Sequence, residues 1–426
     1  MNTYVKGLSE HFPALGFKHY RAFFAAQLIS LIGTWMQSVS IPVLVKNLTN
    51  GNKLMLGTVS ALSTLPIFLF TLFAGVFADK HRKRIILICT QILLLLQAAA
   101  FTVLSGFHFV TIPTIIILGM MGGLFMAFDM PARQSLIREM VDLHALPSAI
   151  ALNSSMFNAA RAVGPAFAAA VLGTLGVTLC FGANAVSFIG IIFVLLWMRP
   201  VSASRSTEAS NLAHLGAGLK HAAHNRGIRS VMILIALCSL FGWTYVTILP
   251  TVPKDFYGIA DMKIQDASFG MLVSASGVGA VLGALTVAIL GKRGLLSKTF
   301  VSGWLIFVCS LAALAVSNQF WQGLVALFCA GFGLIMSQTS GNSLVQMLVS
   351  DEYRGRVMGL YAFLFIGIAP FGNFLIGSVA HLSSTRFAFL MNAGVSLIAI
   401  LLFRSGVLAA DPQPPHPELA DVPTET

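Results

Sequence analysis

The chain has 426 residues, of which 57% are hydrophobic and only 10% are charged, whereas an ordinary soluble domain carries about 25% charged residues. Its mean hydropathy of +0.85 leaves too little polar surface for a water-soluble protein. The net charge of +11 is spread over short polar segments and is not gathered in one patch. These values exclude a soluble globular domain, predict no nucleic-acid partner, and indicate an all-α integral membrane protein.

Twelve apolar stretches follow one another along the chain, and many are long enough, at about 20 residues, to cross a bilayer as a helix. The predicted spans cover residues 22–45, 55–78, 85–105, 112–134, 148–173, 179–198, 229–252, 267–290, 299–316, 320–341, 357–380 and 387–404. All 5 cysteines fall inside these stretches without a ligand-like spacing. The sequence therefore predicts buried thiols and no metal site.

The basic residues are distributed unequally between the two sides of the predicted membrane domain. Of the 26 Lys and Arg residues, twenty lie on the side that holds both termini, and one, Arg161, lies inside a span. The loops on the other side hold Lys46, Lys53, Lys254, Lys263 and Arg386. Because cytosolic loops are enriched in Lys and Arg, we expect a multi-pass protein of the inner (cytoplasmic) membrane with both termini in the cytosol.

A long polar connection at residues 199–228 divides the spans into two sets of six. An N-terminal half, 1–198, precedes this cytosolic linker, a C-terminal half, 229–404, follows it, and the proline-rich tail at 405–426 is predicted to be disordered. Shifting the segment 134–168 by 208 positions aligns six identical residues, among them Phe157 with Phe365. The sequence thus predicts two pseudo-symmetric six-helix halves.

A glycine, an aspartate and three basic residues follow the second span at fixed spacing: Gly75, Asp79, Lys80, Lys83 and Arg84. The glycine lets helices approach closely, and an aspartate at a helix end accepts hydrogen bonds from the N-terminus of a neighbouring helix. The bases are predicted to bind acidic partners across the two halves. A plain positive-inside stop signal explains the bases but not the spaced glycine and aspartate. We therefore interpret this segment as a conformational latch.

Asp129 and Arg133 lie close to the cytosolic end of the fourth span. Their spacing of four residues places both side chains on one face of a helix. This spacing predicts a structural ion pair that joins the Asp79–Lys83 segment, and a proton-carrying role for Asp129 is the alternative.

Arg161 lies deep in the fifth span, about 20 Å from its start at 1.5 Å per residue. An unpaired guanidinium at this depth costs several kcal/mol, so we expect it to face the central cavity or a partner. Its predicted role is to bind an anion, and a structural hydrogen bond to Asn158 or to a carbonyl is the alternative. No carboxylate is predicted at the same depth.

Gly164 and Pro165 follow in the same span, which also carries the small residues Ala151, Ala160, Ala168 and Ala169. Small residues at helical spacing allow close helix packing. The alanines therefore allow close packing against span 8, where Gly279 and Gly283 offer a complementary small surface, and generic close packing without a coupling role is the alternative.

The Gly75–Arg84 segment resembles the signature of the major facilitator superfamily. Residues 27–42, 127–134, 152–165 and 354–361 are similar to a subfamily of enterobactin exporters and macrolide efflux pumps. This resemblance covers roughly residues 12–404. The Gly164-Pro165 pair resembles the antiporter motif of drug exporters, but alanines stand where that motif has glycines.

The resemblance implies alternating access around a midplane cavity lined by spans 1, 4, 7 and 10 and flanked by spans 2, 5, 8 and 11. On these spans, the candidate substrate-binding residues carry hydrogen-bonding, aromatic or positively charged side chains. They are Gln27, Ser30, Gln37, Phe125, Asn158, Arg161, Trp243, Tyr245, Gln338 and Tyr361. Such a lining suits a bulky, partly aromatic, anionic or polar small molecule.

The predicted function is export of a siderophore or a similar metabolite. Drug efflux is the second hypothesis and a lysolipid flippase the third, while a non-transporting receptor or sensor is the alternative from another class. The sequence shows no nucleophile–base set and no phosphate-binding loop, so it predicts neither an enzyme nor a cofactor. Protons are the candidate coupling ion, the bilayer is the surrounding partner, and a monomer is expected.

Overall fold

The computed structural model describes residues 12–198, 224–291 and 293–409, and within these ranges the regular structure is helical. Twelve helices are long and apolar enough to cross a membrane, which confirms the predicted all-α fold with twelve spans. Ten are continuous: α1 (Lys18–Leu48), α2 (Lys53–Lys80), α3 (Lys83–Gly106), α4 (Ile112–Met140), α5 (Leu146–Thr174), α6 (Val177–Trp197), α8 (Met262–Gly291), α9 (Leu296–Val316), α10 (Phe320–Leu348) and α12 (Thr385–Leu408).

The other two helices contain a wider π-helical turn. Helix α7 runs over Arg226–Tyr257, with a π segment at Cys238–Gly242 and a short 3-10 turn at Leu249–Thr251. Helix α11 consists of Asp351–Ala362, a π segment at Phe363–Gly367, and Ala369–Leu382. π turns are rare and are found mostly at functional sites, so these two positions are candidates for part of a functional site.

Most helices extend a few residues beyond the predicted spans, and in several of them a polar side chain caps the first turn. The Asn52 side chain accepts a hydrogen bond from the Met55 N–H at 3.2 Å, and Ser384 accepts one from the Phe387 N–H at 3.1 Å. A span predicted from apolar residues alone leaves out such polar first turns, although they are part of the helix. Helix α12 likewise continues to Leu408, into the segment predicted as a tail. The rest of that tail and most of the predicted linker lie outside the described residues.

The helices pack as two bundles, a first bundle of α1–α6 and a second bundle of α7–α12. Within the first bundle α2 packs on α4 and α3 on α6, and within the second bundle α10 packs on both α8 and α9. Between the bundles the main contacts are α5 with α8 and α2 with α11, and α1 also contacts α7 and α8.

The helix bundle presents two faces, one at each membrane surface. We call the side where α1 begins and α12 ends the termini face. The side where α1 ends and α2 begins is the opposite face. The close backbone contacts between the bundles lie toward the opposite face. A Cβ atom built on Gly57 would lie 2.8 Å from the Gly377 Cα, and one on Gly270 would lie 2.6 Å from the Ala169 Cα. Gly75, near the termini face, would meet nothing within 4 Å. The bundles are therefore closed at the opposite face.

The glycines that pack against α5 differ from those predicted. Gly270 and Gly277, seven residues apart on α8, face Ala169 and Ala162 of α5. Gly279 and Gly283 instead face the Phe328 and Phe332 carbonyls of α10, so the prediction that they face span 5 is wrong. Residues 277 and 279 are about 200° apart around a helix with 3.6 residues per turn, and α8 uses the two faces for two neighbours.

We predict that Gly270→Val will destabilise the contact between α5 and α8. The added side chain would overlap Ala169, and overpacking of this kind costs about 1–3 kcal/mol, so the melting temperature of the purified protein should fall. Gly190→Ala is the matched control, because a Cβ there meets nothing within 4 Å, and an alanine in a helix should stabilise by about 0.5–1 kcal/mol. Equal melting temperatures for Gly270→Val and the wild type would show that α5 and α8 are not tightly packed.

Candidate functional site

A cavity of about 220 Å³ lies between the two bundles. Its walls come from α1, α5, α7, α8 and α10, and the residues that matter most for its chemistry are Trp35, Arg161, Trp243, Tyr245 and Ser276. Arg161 lies close to the midpoint of α5 and Trp243 follows the π segment of α7. The cavity is therefore near the middle of the membrane, where both bundles contribute to it.

Arg161 is the charged residue of this cavity, and it is only 7% exposed. Its Nη2 donates a hydrogen bond to the Asn158 Oδ1 at 3.1 Å, and its guanidinium lies 5.6 Å from the centre of the Trp243 ring. Its Nε has no hydrogen-bond partner, and among the side chains that the structure describes it has no acidic partner. The site thus holds a positive charge with a free donor, which an anion or another acceptor would satisfy.

Trp243 connects Arg161 to an aromatic row that reaches α11. Its indole Nε1 is buried without a partner, and its ring meets Phe365 edge-on at 6.4 Å between centroids. Phe365 lies in the π segment of α11 and stacks on Tyr361 at 6.2 Å. The two π segments thus bring aromatic side chains of α7 and α11 together beside the buried charge.

Polar side chains of α7, α8, α10 and α11 lie in the wall of the cavity or behind it. The Tyr245 hydroxyl and the Ser276 hydroxyl share a hydrogen bond of 3.0 Å. The Tyr361 hydroxyl donates to the Gln338 carbonyl at 3.3 Å, and the Gln338 Nε2 contacts the Cys238 Sγ at 3.5 Å. Sequence reasoning did not select Trp35 and Ser276, which line the cavity, or Phe365 and Cys238, which contact Trp243 and Gln338, because only the helix geometry brings these residues together.

Of the ten predicted substrate-binding residues, Arg161, Trp243 and Tyr245 line the cavity, and Asn158 binds Arg161 directly. Gln338 and Tyr361 bind each other close by. The remaining four are buried residues of α1 and α4 that do not line the cavity: Gln27, Ser30, Gln37 and Phe125.

Gln37 shows why polar residues of α1 do not all face the cavity. Its Nε2 donates to the Gln97 Oε1 at 3.0 Å, and its Oε1 accepts from the Asn184 Nδ2 at 2.8 Å. Both partners belong to the first bundle, so the amide is satisfied between α1, α3 and α6. Phe125 similarly belongs to the apolar core of the first bundle.

The basic residues that follow α2 bind within the first bundle. The Lys83 Nζ lies 3.2 Å from the Glu139 carboxylate of α4, and Arg84 donates to the Leu195 and Leu196 carbonyls at 2.5 and 2.8 Å. These carbonyls end α6 and lack partners within their own helix. The prediction that these bases bind acids across the two halves is thus wrong for Lys83 and Arg84, whose nearest acceptors are in their own bundle.

Two other members of the predicted latch show no contact across the bundles. Lys80 is exposed at the end of α2, and Gly75 has open space beside it. The Asp79 side chain lies outside the described part of the structure, so the role of this aspartate stays a prediction.

Asp129 is fully buried between α3 and α4. Its carboxylate accepts hydrogen bonds from Thr90 at 3.0 Å and from Gln91 at 2.6 Å, and it pairs with Arg133 one turn away on its own helix. All of these partners belong to the first bundle. Lys83 binds Glu139 instead, so the described contacts do not join Asp129 to the segment after α2.

Gly164 and Pro165 are buried in α5 beside Arg161. A Cβ atom built on Gly164 would lie 2.5 Å from the Trp35 Cβ, so this glycine faces α1. Span 5 does pack on span 8, as its small residues predicted, but on another side of α5, where Ala162 and Ala169 contact α8. Gly164 instead places Trp35 against the cavity.

At the opposite face, charged side chains connect the two bundles in a way the sequence did not reveal. The Lys46 Nζ lies 2.5 Å from the Asp266 Oδ1, and the Lys53 Nζ lies 3.0 Å from the Asp255 Oδ2. Span 8 was predicted to begin at residue 267, whereas α8 begins at Met262. Among the described residues, Asp266 is therefore a second buried carboxylate of a spanning helix, beside Asp129. Lys46 is a buried residue of α1 and not a loop residue.

We predict that Asp129→Asn will lower the melting temperature because it leaves the Arg133 charge buried without its counter-ion. Removing one partner of a buried ion pair costs about 3–5 kcal/mol. The double variant Asp129→Asn/Arg133→Gln should recover part of that loss. Arg138→Gln, an exposed charge on the same helix, is the control and should change little. A double variant as unstable as Asp129→Asn would show that Asp129 does not act through Arg133.

Known proteins match this chain over nearly its whole length. A family model described as a transmembrane secretion effector matches residues 9–415. The staphyloferrin A transporter of Staphylococcus aureus is 24% identical over 89% of this chain and 94% of its own length. The multidrug efflux pump Tap of Mycolicibacterium fortuitum is 26% identical over 90% of this chain and 93% of its own. The enterobactin exporter EntS of Escherichia coli is 23% identical over 90% of this chain and 92% of its own length.

Solved structures show the same fold at lower sequence identity. The nucleoside transporter NupG superposes with a TM-score of 0.71 at 13% identity, covering 91% of this chain and 99% of its own. The D-xylose–proton symporter superposes with a TM-score of 0.70 at 15% identity, over 91% and 97%.

The predicted resemblance to exporters of this superfamily is confirmed by these matches, as is the prediction of a transporter instead of an enzyme. With twelve spanning helices in two bundles, a charged cavity between them and a family match over residues 9–415, the chain belongs to the transmembrane secretion effector family of major facilitator transporters.

Proposed function

We propose that this transporter exports a bulky, anionic or strongly polar metabolite of the siderophore class by alternating access. The observation that carries the proposal is Arg161, a guanidinium buried between the bundles near mid-membrane and without an acidic partner among the described side chains. A positive charge kept in this position at a cost of several kcal/mol favours a solute that brings the counter-charge.

The donors around Arg161 indicate which part of the solute binds there. The Arg161 Nε and the Trp243 Nε1 are both N–H groups without partners, and two such donors suit carboxylate or phenolate oxygens. The Trp243, Phe365 and Tyr361 rings offer apolar surface to the rest of the molecule.

The size of the cavity fits a closed or resting state. Sites for drug-sized ligands are typically about 300–1,000 Å³, whereas this cavity is about 220 Å³. It holds one anionic group of a bulky solute, and the bundles have to rotate apart to admit the remainder. The close backbone contacts of Gly57 and Gly270 at the opposite face support entry from the termini face.

Relatives supply the substrate class as a hypothesis. The staphyloferrin A transporter and the enterobactin exporter support a siderophore, and the multidrug efflux pump Tap supports drug efflux as the second candidate. Arg161 separates the two candidates, because a fixed positive charge attracts anionic metabolites and repels cationic drugs.

The charge distribution supports a direction and a source of energy. The excess of Lys and Arg on the termini side favours an inner-membrane protein whose termini are in the cytosol. Outward movement of one negative charge then releases about 2.3 kcal/mol per 100 mV of interior-negative potential. The membrane potential can thus contribute to export, with protons as the further coupling ion. The cavity is complete within one chain, which supports a working monomer.

We predict that Arg161→Gln will lose most of its affinity for the anionic substrate. A hydrogen bond to a charged group is worth about 1.5–3 kcal/mol, so the apparent KM for export should rise about tenfold or more, and Arg161→Lys should keep part of the affinity. Flux is measured in proteoliposomes with a clamped potential. Arg404→Gln, which removes an exposed charge at the end of α12, is the matched control. Normal anion flux by Arg161→Gln would assign Arg161 a purely structural role.

The substrate class is tested by comparing secreted and retained metabolites of a deletion strain with those of its parent under iron limitation. Accumulation of an iron-chelating anion inside the deletion strain is the expected result. An unchanged profile together with increased sensitivity to drugs would favour efflux, and absence of any flux would favour a receptor.

A further inference from the structure

The contact between Lys46 and Asp266 is a buried ion pair that joins the two bundles at the opposite face. Lys46 is 5% and Asp266 is 7% exposed, and their charged atoms are 2.5 Å apart. The Asn47 Nδ2 donates to the other oxygen of Asp266 at 3.1 Å, and Lys46 also donates to the Gln265 Oε1 at 3.2 Å. Every hydrogen bond of this cluster between side chains crosses from α1 to α8.

A second pair beside it is more exposed. The side chains of Lys53 and Asp255 are 22% and 27% exposed, and Asp255 also accepts a hydrogen bond from Thr385 at 2.5 Å. Exposed ion pairs contribute little to stability because water and salt screen them. The buried pair is therefore the one whose charge state governs this contact.

The two buried carboxylates of the described spanning helices differ in what they connect. Asp129 binds Thr90, Gln91 and Arg133, all in the first bundle, so a change in its charge leaves the contact between the bundles intact. Asp266 binds Lys46 and Asn47 of the other bundle. A change in the charge of Asp266 acts directly on the relative position of the bundles.

We propose that Asp266 is the site at which a proton from the opposite side of the membrane binds and releases the two bundles from each other. The proton adds to the carboxylate oxygen facing Lys46 and converts Asp266 to a neutral acid. Lys46 then holds a buried charge without a counter-ion, which is unfavourable. Separation of α1 from α8 restores water to the Lys46 ammonium, so the proton stabilises the conformation open at the opposite face. The inference rests on the proposed transport function only for its place in the cycle.

The other charged groups near Asp266 do not replace Lys46 as its partner. From α7 they are Lys254, Asp255 and Tyr257, of which Asp255 is bound by Lys53 and Tyr257 by Ser317 at 2.9 Å. The ends of α5 and α10 that pack here, 165–174 and 320–328, contain no ionisable residue, and the Lys298 of α9 is at the other end of its helix. Asp261, just before α8, accepts a hydrogen bond from the Ile264 N–H at 3.0 Å. Lys263, in the first turn of α8, is exposed.

The test measures the distance between the bundles at the opposite face in the absence of any substrate. Spin labels are placed at Leu48 and Ala260, both exposed and on different bundles, in a chain whose 5 cysteines are replaced. Distances are recorded in nanodiscs from about pH 8 down to about pH 3, a range that includes the ordinary titration of an aspartate. A longer distance should gain population with acid, and the open-to-closed ratio should rise by up to about tenfold per pH unit for one linked proton.

Variants assign the response to one residue. Asp266→Asn should give the longer distance at every pH without a response to acid, whereas Asp266→Glu should keep the response. Asp129→Asn and Asp255→Asn are the matched controls and should both respond as the wild type does. If Asp266→Asn does not fold, the swapped Lys46→Asp/Asp266→Lys chain tests the same pair, and it should respond to acid because the pair is restored in reverse.

The proposal is overturned if the wild-type distances do not change with pH, if Asp266→Asn responds like the wild type, or if Asp129→Asn or Asp255→Asn abolishes the response. Because the readout needs no substrate, a failure to find anion export would leave these distances unaffected. Conversely, normal anion export without a distance response would reject the role of Asp266 and leave the proposed transport function standing.

Discussion

The cost of keeping a charge inside a membrane governs how the two bundles are arranged. A buried ionised group has to find a counter-ion, hydrogen-bond partners or water. Asp129 finds all of its partners within one bundle, and Asp266 finds its counter-ion in the other bundle. Within the described part of the chain, Arg161 contacts a neutral amide and an aromatic ring but no acid. Asp129 thus stabilises the first bundle, and Asp266 connects the two bundles. Arg161 is left able to bind a substrate that carries the missing negative charge.

The twelve spans could be predicted because the apolar length of a spanning helix is fixed by the bilayer. Their ends could not, since a polar first turn such as the one that contains Asp266 is helical but not apolar. For the same reason the most informative ion pair at the opposite face escaped prediction, and Lys46 was read as a loop residue.

The site was predicted in part. Arg161 was identifiable because a deep charge is rare in a span, and Asn158 lies one turn before it. Gln37 was expected at the cavity on the same grounds, yet its amide is satisfied by Gln97 and Asn184. A sequence shows that a buried polar group needs a partner but not which neighbouring helix supplies it. For the same reason, the sequence does not show that Gly277 of α8 faces α5 while Gly279 faces α10.

The distribution of charge at the opposite face has a consequence for biogenesis. The first bundle supplies the lysines, Lys46 and Lys53, and the second bundle supplies the aspartates, Asp255 and Asp266. Two copies of the same bundle would therefore place like charges against each other, whereas the two halves of one chain place opposite charges together. Newly inserted halves in a crowded membrane thus carry a built-in preference for each other over identical halves of neighbouring chains.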